Sequence, residues 1–250
     1  MPVRAVLFDL GNTLWHIPEP PPQEQVRHET VSRILALLRS WGIEPDDQHR
    51  FLGRDIRLTI TAADKRAYET DAISPDFTAV VQQVAADKGL AVTREQAEQL
   101  WHTWNLGGDF FGRRLFDDAI ETLDALRKRG YRIGCVTNRP FGGPAFVAEL
   151  DALGLTPHLD ALSVSCDLGY MKPHKRIFEH ALETLGVRAD EAVMVGDSLR
   201  ADVGGAHALG MTGVWRRPPK LLEERDGVRP HFTVDELREL LALPILRDGP

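Results

Sequence analysis

The chain has 250 residues, of which 43% are hydrophobic and 27% charged, the make-up of a globular protein able to bury a substantial core. Its 30 basic and 37 acidic residues leave a net charge of −7, which argues against a nucleic-acid partner, because such domains carry a basic stripe. Cys135 and Cys166 show no CxxC or zinc-like spacing, and no run of residues is long and apolar enough for a membrane span. The short apolar start running into Asp9 does not read as a secretory signal, so the expected address is the cytoplasm, with no membrane partner.

In chain order, residues 3–8 form the first short, apolar, β-branched run, and it ends at Asp9. Pro18, Pro20, Pro21 and Pro22 then make a stiff connector. Helical periodicity follows over residues 26–41, 51–68, 77–87 and 94–104, broken by Gly42, Pro45, Pro75 and Gly89. Gly107, Gly108 and Gly112 make a flexible connector at the far border. Trp101 and Trp104, three apart, read as packing within this helical stretch. Residues 115–129 predict a helix with Ile120, Leu123 and Leu126 on one stripe and Gly130 as its stop. A second helix at 176–185 repeats the form, closed by Gly186. Residues 131–136, 161–164, 192–195 and 213–215 are again short and apolar on both faces, as suits buried parallel strands. Strands alternating with helices predict an α/β fold: a doubly wound, Rossmann-like parallel sheet made by residues 1–15 and 113–250. An all-helical domain, residues 16–112, is inserted after the first strand. The tail after Pro244 is expected to be loose.

In such sheets ligands bind beyond the carboxyl ends of the strands, so the polar residues there carry the chemistry. The first run ends in Asp9-Leu10-Gly11-Asn12-Thr13, the second in Thr137-Asn138-Arg139. A later loop holds Lys172-Pro173, and another strand ends in Gly196-Asp197-Ser198, with Asp202 five residues after Asp197. Each residue alone reads as a cap, a turn former or a surface lysine. Together, two carboxylates and a lysine at one sheet edge need a counter-ion. A divalent cation held by Asp9 and Asp197, with a phosphate between it and Lys172, satisfies every charge.

In order and spacing, these four segments resemble the haloacid dehalogenase superfamily of aspartate-nucleophile hydrolases, and the insert resembles its C1-type helical cap. The resemblance implies a hydrolase, phosphatase-like and dependent on Mg2+, that acts on a small phosphorylated substrate. It implies that Asp9 attacks phosphorus and that Thr137 and Lys172 bind the phosphoryl oxygens. Metal ligands would be Asp9, the Gly11 carbonyl and Asp197, with Asp202 and Ser198 supporting, and Asn12, Asn138 and Arg139 near the substrate.

One position departs from the pattern. Phosphatases of the family carry a second Asp two residues after the nucleophile, as general acid–base, where this chain has Gly11. Such assistance is worth about 10²–10⁴-fold, so the expected enzyme is slow or restricted to good leaving groups, unless His16 or a cap residue substitutes. The alternatives are a non-catalytic phosphate- or partner-binding protein and, with less support, a phosphonate hydrolase or a dehalogenase. A phosphonate hydrolase needs a cap lysine, for which only Lys65 and Lys88 are on offer, both among charged neighbours. Arg113-Arg114 and Arg216-Arg217 read as solvated basic pairs, and Tyr170 as a residue beside the Lys172 loop. Oligomeric state is not readable.

Overall fold

The computed structural model describes residues 2–218 and 227–250. The chain forms two compact units, Met1–His16 with Arg114–Pro250, and Ile17–Arg113.

The first unit is built on a six-stranded, all-parallel sheet of β1 (Ala5–Phe8), β4 (Arg132–Thr137), β5 (Ala161–Val164), β6 (Ala192–Gly196), β7 (Thr212–Arg216) and β8 (Phe232–Val234). The order is β5-β4-β1-β6-β7-β8. The strands lie in the middle of the unit because they are apolar on both faces. Val6, Phe8, Ile133, Cys135, Val193 and Val195 enter one core. Their strand neighbours Ala5, Leu7, Val136 and Met194 enter the other, with Ile177, Phe178 and Leu185 of the helix Lys175–Leu185. From β1 the chain first builds toward β5, then crosses to β6 on the other side, so the topological switch falls between β1 and β6.

A separate antiparallel ribbon pairs β2 (Trp15–His16) with β3 (Arg114–Leu115), where the chain leaves this unit and re-enters it. Pairing of Leu115 in that ribbon delays the predicted helix, which runs Ala119–Lys128 instead of from residue 115. The tail is not loose. Leu246 is fully buried, and Arg129 Nη1 donates to the carbonyls of Leu241 and Leu246 at 2.8 and 2.9 Å.

The second unit contains the helices Gln23–Ser40, Leu52–Glu69, Phe77–Asp87 and Arg94–Trp104. Ile34, Leu38, Leu52, Ile56, Val81 and Leu100 are buried in it. Thr93 and Gln96 form a capping box at the start of the last helix, which fixes that boundary. Trp101 is buried and stacks between Phe77 (5.6 Å) and Trp104 (5.4 Å), so the tryptophan pair packs as predicted.

Candidate active site

β1 and β6 are adjacent and in register, with Phe8 opposite Val195, so the residues that follow them emerge side by side. Asp9 follows β1, its backbone N–H donating to the Val195 carbonyl at 2.9 Å. Thr13, Leu14 and Trp15 all donate to the Leu10 carbonyl at 3.2, 2.9 and 3.0 Å, which folds the segment after Asp9 into a tight turn. Asn12 in that turn has φ +52°, an αL conformation that asparagine tolerates better than most residues.

Lys172 is buried at 2% exposure, and its Nζ donates to Asp9 Oδ1 at 2.6 Å and to Asp202 Oδ1 at 2.7 Å. Burial pushes its ammonium down, but the charges of Asp202 and Asp9 outweigh burial and hold it above the usual lysine range. Asp202 lies in the π-helical turn Leu199–Gly204, capped by Ser198, whose Oγ accepts from the Ala201 N–H at 3.0 Å. Its Oδ2 accepts from the Ser198 N–H at 3.0 Å. A Cβ on residue 196 would coincide with the Asp202 carboxylate, so only glycine fits before Asp197. Lys172 is therefore not a surface lysine, and Asp202 is its counter-ion.

Asp197 has weaker company. Its Oδ2 accepts from Asn12 Nδ2 at 3.1 Å, a neutral amide. Burial, then the charges of Asp9 and Asp202, push its carboxyl up to about 7. Asp9, Asp197 and Asp202 each offer a carboxylate oxygen, all within 4.8 Å of one another. Among the described residues three carboxylates have one ammonium in direct contact, with the Arg216 guanidinium adding charge toward Asp197 from outside salt-bridge reach, and a surplus of hard oxygen donors of this kind fits a small divalent cation. The raised carboxyl of Asp197, due first to burial and then to the charges of Asp9 and Asp202, is compatible with such a site.

The remaining predicted residues divide. Thr137 ends β4 and is buried. Asn138, expected at the substrate, instead clasps the loop that carries Lys172. Its Nδ2 donates to the Lys172 carbonyl at 2.9 Å, and its Oδ1 accepts from the Lys172 N–H at 2.6 Å. Arg139, also expected there, is turned to structure. Its guanidinium lies 4.1 Å over the Phe146 ring and 3.7 Å from Glu149, so a substrate anion would have to displace Glu149. The His16 ring stacks on Phe116 at 4.4 Å. Lys88 is ion-paired with Asp55 at 2.7 Å and Lys65 with Glu69 at 3.7 Å.

Arg216 overturns its expectation most clearly. It is 4% exposed, not solvated, and donates to the Asn12 carbonyl at 2.9 Å. Its neighbour Trp215 donates from Nε1 to the Asp197 carbonyl at 2.8 Å. Neither contact had a local signal in the sequence beyond the position of the pair at the end of an apolar strand.

A model of haloacid dehalogenase-like hydrolases matches residues 3–210. The glyceraldehyde 3-phosphate phosphatase of Methanopyrus kandleri is 29% identical over 245 residues, covering 96% of both chains. The ribulose-1,5-bisphosphate 5-phosphatase of Halopiger xanaduensis is 31% identical over 215 residues, covering 84% of this chain and 83% of the relative. A solved HAD phosphatase from Thermococcus onnurineus shares the fold with a TM-score of 0.57 and 27% identity, over 96% of this chain and 97% of that one. Sheet order, the Asp9–Lys172–Asp202 network and these similarities agree: the chain belongs to the haloacid dehalogenase-like hydrolase family.

Proposed function

We propose that the protein is a magnesium-dependent phosphatase of a small phosphorylated metabolite, with Asp9 as nucleophile. The observation that carries this reading is the buried Asp9–Lys172 contact at the switch point of the sheet, beside Asp197 and its raised pKa. Relatives named as phosphatases of glyceraldehyde 3-phosphate and ribulose bisphosphate support a phosphate ester as the bond cleaved.

With Oδ1 held by Lys172, Asp9 attacks phosphorus through Oδ2. The P–O bond to the leaving group breaks as the aspartyl-phosphate forms, and attack by water then returns free Asp9 and inorganic phosphate. Lys172 and Thr137 steady the phosphoryl oxygens, where charge gathers in a loose transition state. Asp9, the Gly11 carbonyl and Asp197 are the residues that would hold Mg2+. When bound, the ion supplies the positive charge that lets two anions, carboxylate and phosphate, approach. Asn138 and Asp202 position Lys172 from its backbone and its ammonium, and Ser198 caps the turn that carries Asp202. Asn12 orients Asp197. The helical insert acts as the cap that selects the substrate.

Gly11 supplies no acid for the leaving oxygen, so the favoured substrates are those whose leaving group is stable as an anion. His16 is the histidine closest in sequence for a surrogate. The test is hydrolysis of acetyl phosphate and para-nitrophenyl phosphate with Mg2+, wild type beside Asp9→Asn. The expected outcome is metal-dependent turnover that Asp9→Asn abolishes. Wild type no faster than the variant on either compound overturns the proposal and favours a binding protein that kept the fold.

A further inference from the structure

Two consecutive residues at the carboxyl end of β7 reach the two loops that bear the proposed cation ligands. Trp215 Nε1 donates to the carbonyl of Asp197 at 2.8 Å, and Arg216 Nη1 donates to the carbonyl of Asn12 at 2.9 Å. Successive side chains of a strand leave on opposite faces, so the two grips come from opposite sides of the sheet.

Arg216 is the unusual member. Its guanidinium lies 3.7 Å over the Phe116 ring, and Phe116 stacks on His16 at 4.4 Å with 14° between the planes. Two groups stacked this closely cannot share one face of a ring, so Phe116 is sandwiched between Arg216 and a residue of the β2–β3 ribbon. Arg216 Nε is buried with no hydrogen-bond partner among the described residues. Burying a guanidinium with an unsatisfied N–H is unfavourable. A methionine or leucine would pack on Phe116 without that cost, so packing alone does not account for an arginine here. Arg216 Nη1 donates weakly to the neighbouring Arg217 carbonyl at 3.5 Å, and its short contact, which only a donor makes, is the one at 2.9 Å to Asn12, in the αL turn whose side-chain amide holds Asp197. Arg216 Nη1 thus holds the Asn12 carbonyl, while Asn12 and Trp215 hold Asp197 through its carboxylate and its carbonyl.

We propose that Arg216 is a positioning residue of the cation site: by holding the Asn12 carbonyl against the Phe116–His16 stack, it presents the Gly11–Asn12 turn and Asp197 together to a divalent cation. This rests on the reading of Asp9, Gly11 and Asp197 as that site. Residues outside a metal's own ligands that orient them typically change affinity or activity about 10–100-fold when removed.

The test follows the rise in melting temperature on titrating Mg2+ alone, with acetyl phosphate kinetics alongside, for wild type, Arg216→Met, Arg216→Lys and Asn12→Gly. Arg216→Met is expected to raise the Mg2+ concentration for half-maximal stabilisation at least about tenfold. Arg216→Lys keeps the charge but not the fork and should recover only part of this. Asn12→Gly suits a backbone at φ +52° and keeps the metal-free melting temperature, yet should raise the Mg2+ requirement through loss of the amide on Asp197. If Arg216→Met does not fold, Arg216→Lys and Asn12→Gly carry the same comparison. Wild-type Mg2+ requirements in the variants overturn the role of Arg216 and leave the cation site standing. No Mg2+-dependent shift in wild type overturns the cation site, and the positioning role with it.

Discussion

The two sides of the site treat negative charge differently. On one side Asp9 and Asp202 share the buried ammonium of Lys172, at 2.6 and 2.7 Å, and Asp202 takes a backbone N–H as well. On the other, the Asp197 carboxylate has, among the described residues, only the amide of Asn12 at 3.1 Å, and its carboxyl is pushed up to about 7 by burial and by the charges of Asp9 and Asp202. Five residues apart, one just after β6 and the other in the π-helical turn that follows, the two carboxylates show that the Lys172 side is closed by the protein itself. The Asp197 side has no such counter-charge in direct contact among the described residues, and it is where the proposed cation would bind.

The comparison breaks most severely at Lys172. Lys172→Met strands two buried carboxylates, and breaking a buried ionic network of this kind costs about 3–5 kcal/mol. Urea unfolding at pH 7 should show this loss, and a change below about 1 kcal/mol would mean the network is not load-sharing in the fold.

At Gly11 the missing side chain can be restored. A Cβ there would have Trp15 Nε1 as its nearest neighbour, at an ordinary 3.9 Å, and the backbone is not in the left-handed region. Gly11→Asp is expected to raise turnover of an alkyl phosphate by about 10²-fold while leaving acetyl phosphate nearly unchanged, as a restored general acid would. Equal effects on both substrates would sink that explanation.

Asp197→Asn sharpens the charge-open side. The folded carboxyl titrates near 7 and the unfolded one near 3.8, so the folded state binds this proton more tightly. Stability from this group therefore falls as pH rises between those values and stays lost above them. Removing the charge should raise metal-free stability at pH 8 by on the order of 2 kcal/mol, and abolish the stabilisation that Mg2+ brings. The gain should vanish below about pH 4, where both forms are protonated. Thermal unfolding across pH, with EDTA and with Mg2+, checks all three signs.

The smallest effect is expected at Asn138. Asn138→Ala removes both hydrogen bonds to the Lys172 backbone and should cost about 1–2 kcal/mol. A fall in kcat larger than that in stability would show that the clasp aligns Lys172 as well as anchoring its loop.

Much of the sheet was legible because parallel strands buried on both faces, such as residues 3–8 and 192–195, are written as unbroken apolar runs. The helix Lys175–Leu185 was legible because Ile177, Phe178, Ala181, Leu182 and Leu185 repeat on one face and Gly186 stops it. Several elements escaped, and two of them show why. The strand Phe232–Val234 is an edge strand of three residues in which Val234 alone is buried. The helix Gly143–Ala152 starts with Gly-Pro, a sequence that reads locally as a turn.

Asp9, Lys172, Asp197 and Asp202 were identifiable in the sequence because short-range pattern places each after a strand or in a loop at the same sheet edge, and charge balance then relates them. Their division into a closed pair and an open carboxylate was decided by tertiary structure alone. Whether Lys172 lies closer to Asp202 than to Asp197, whether Asn138 spends its amide on a backbone, and whether Arg216 is solvated or buried all depend on partners 30 to 204 residues away. Local periodicity reports which way a side chain faces, and it carries no information about which distant group meets it there.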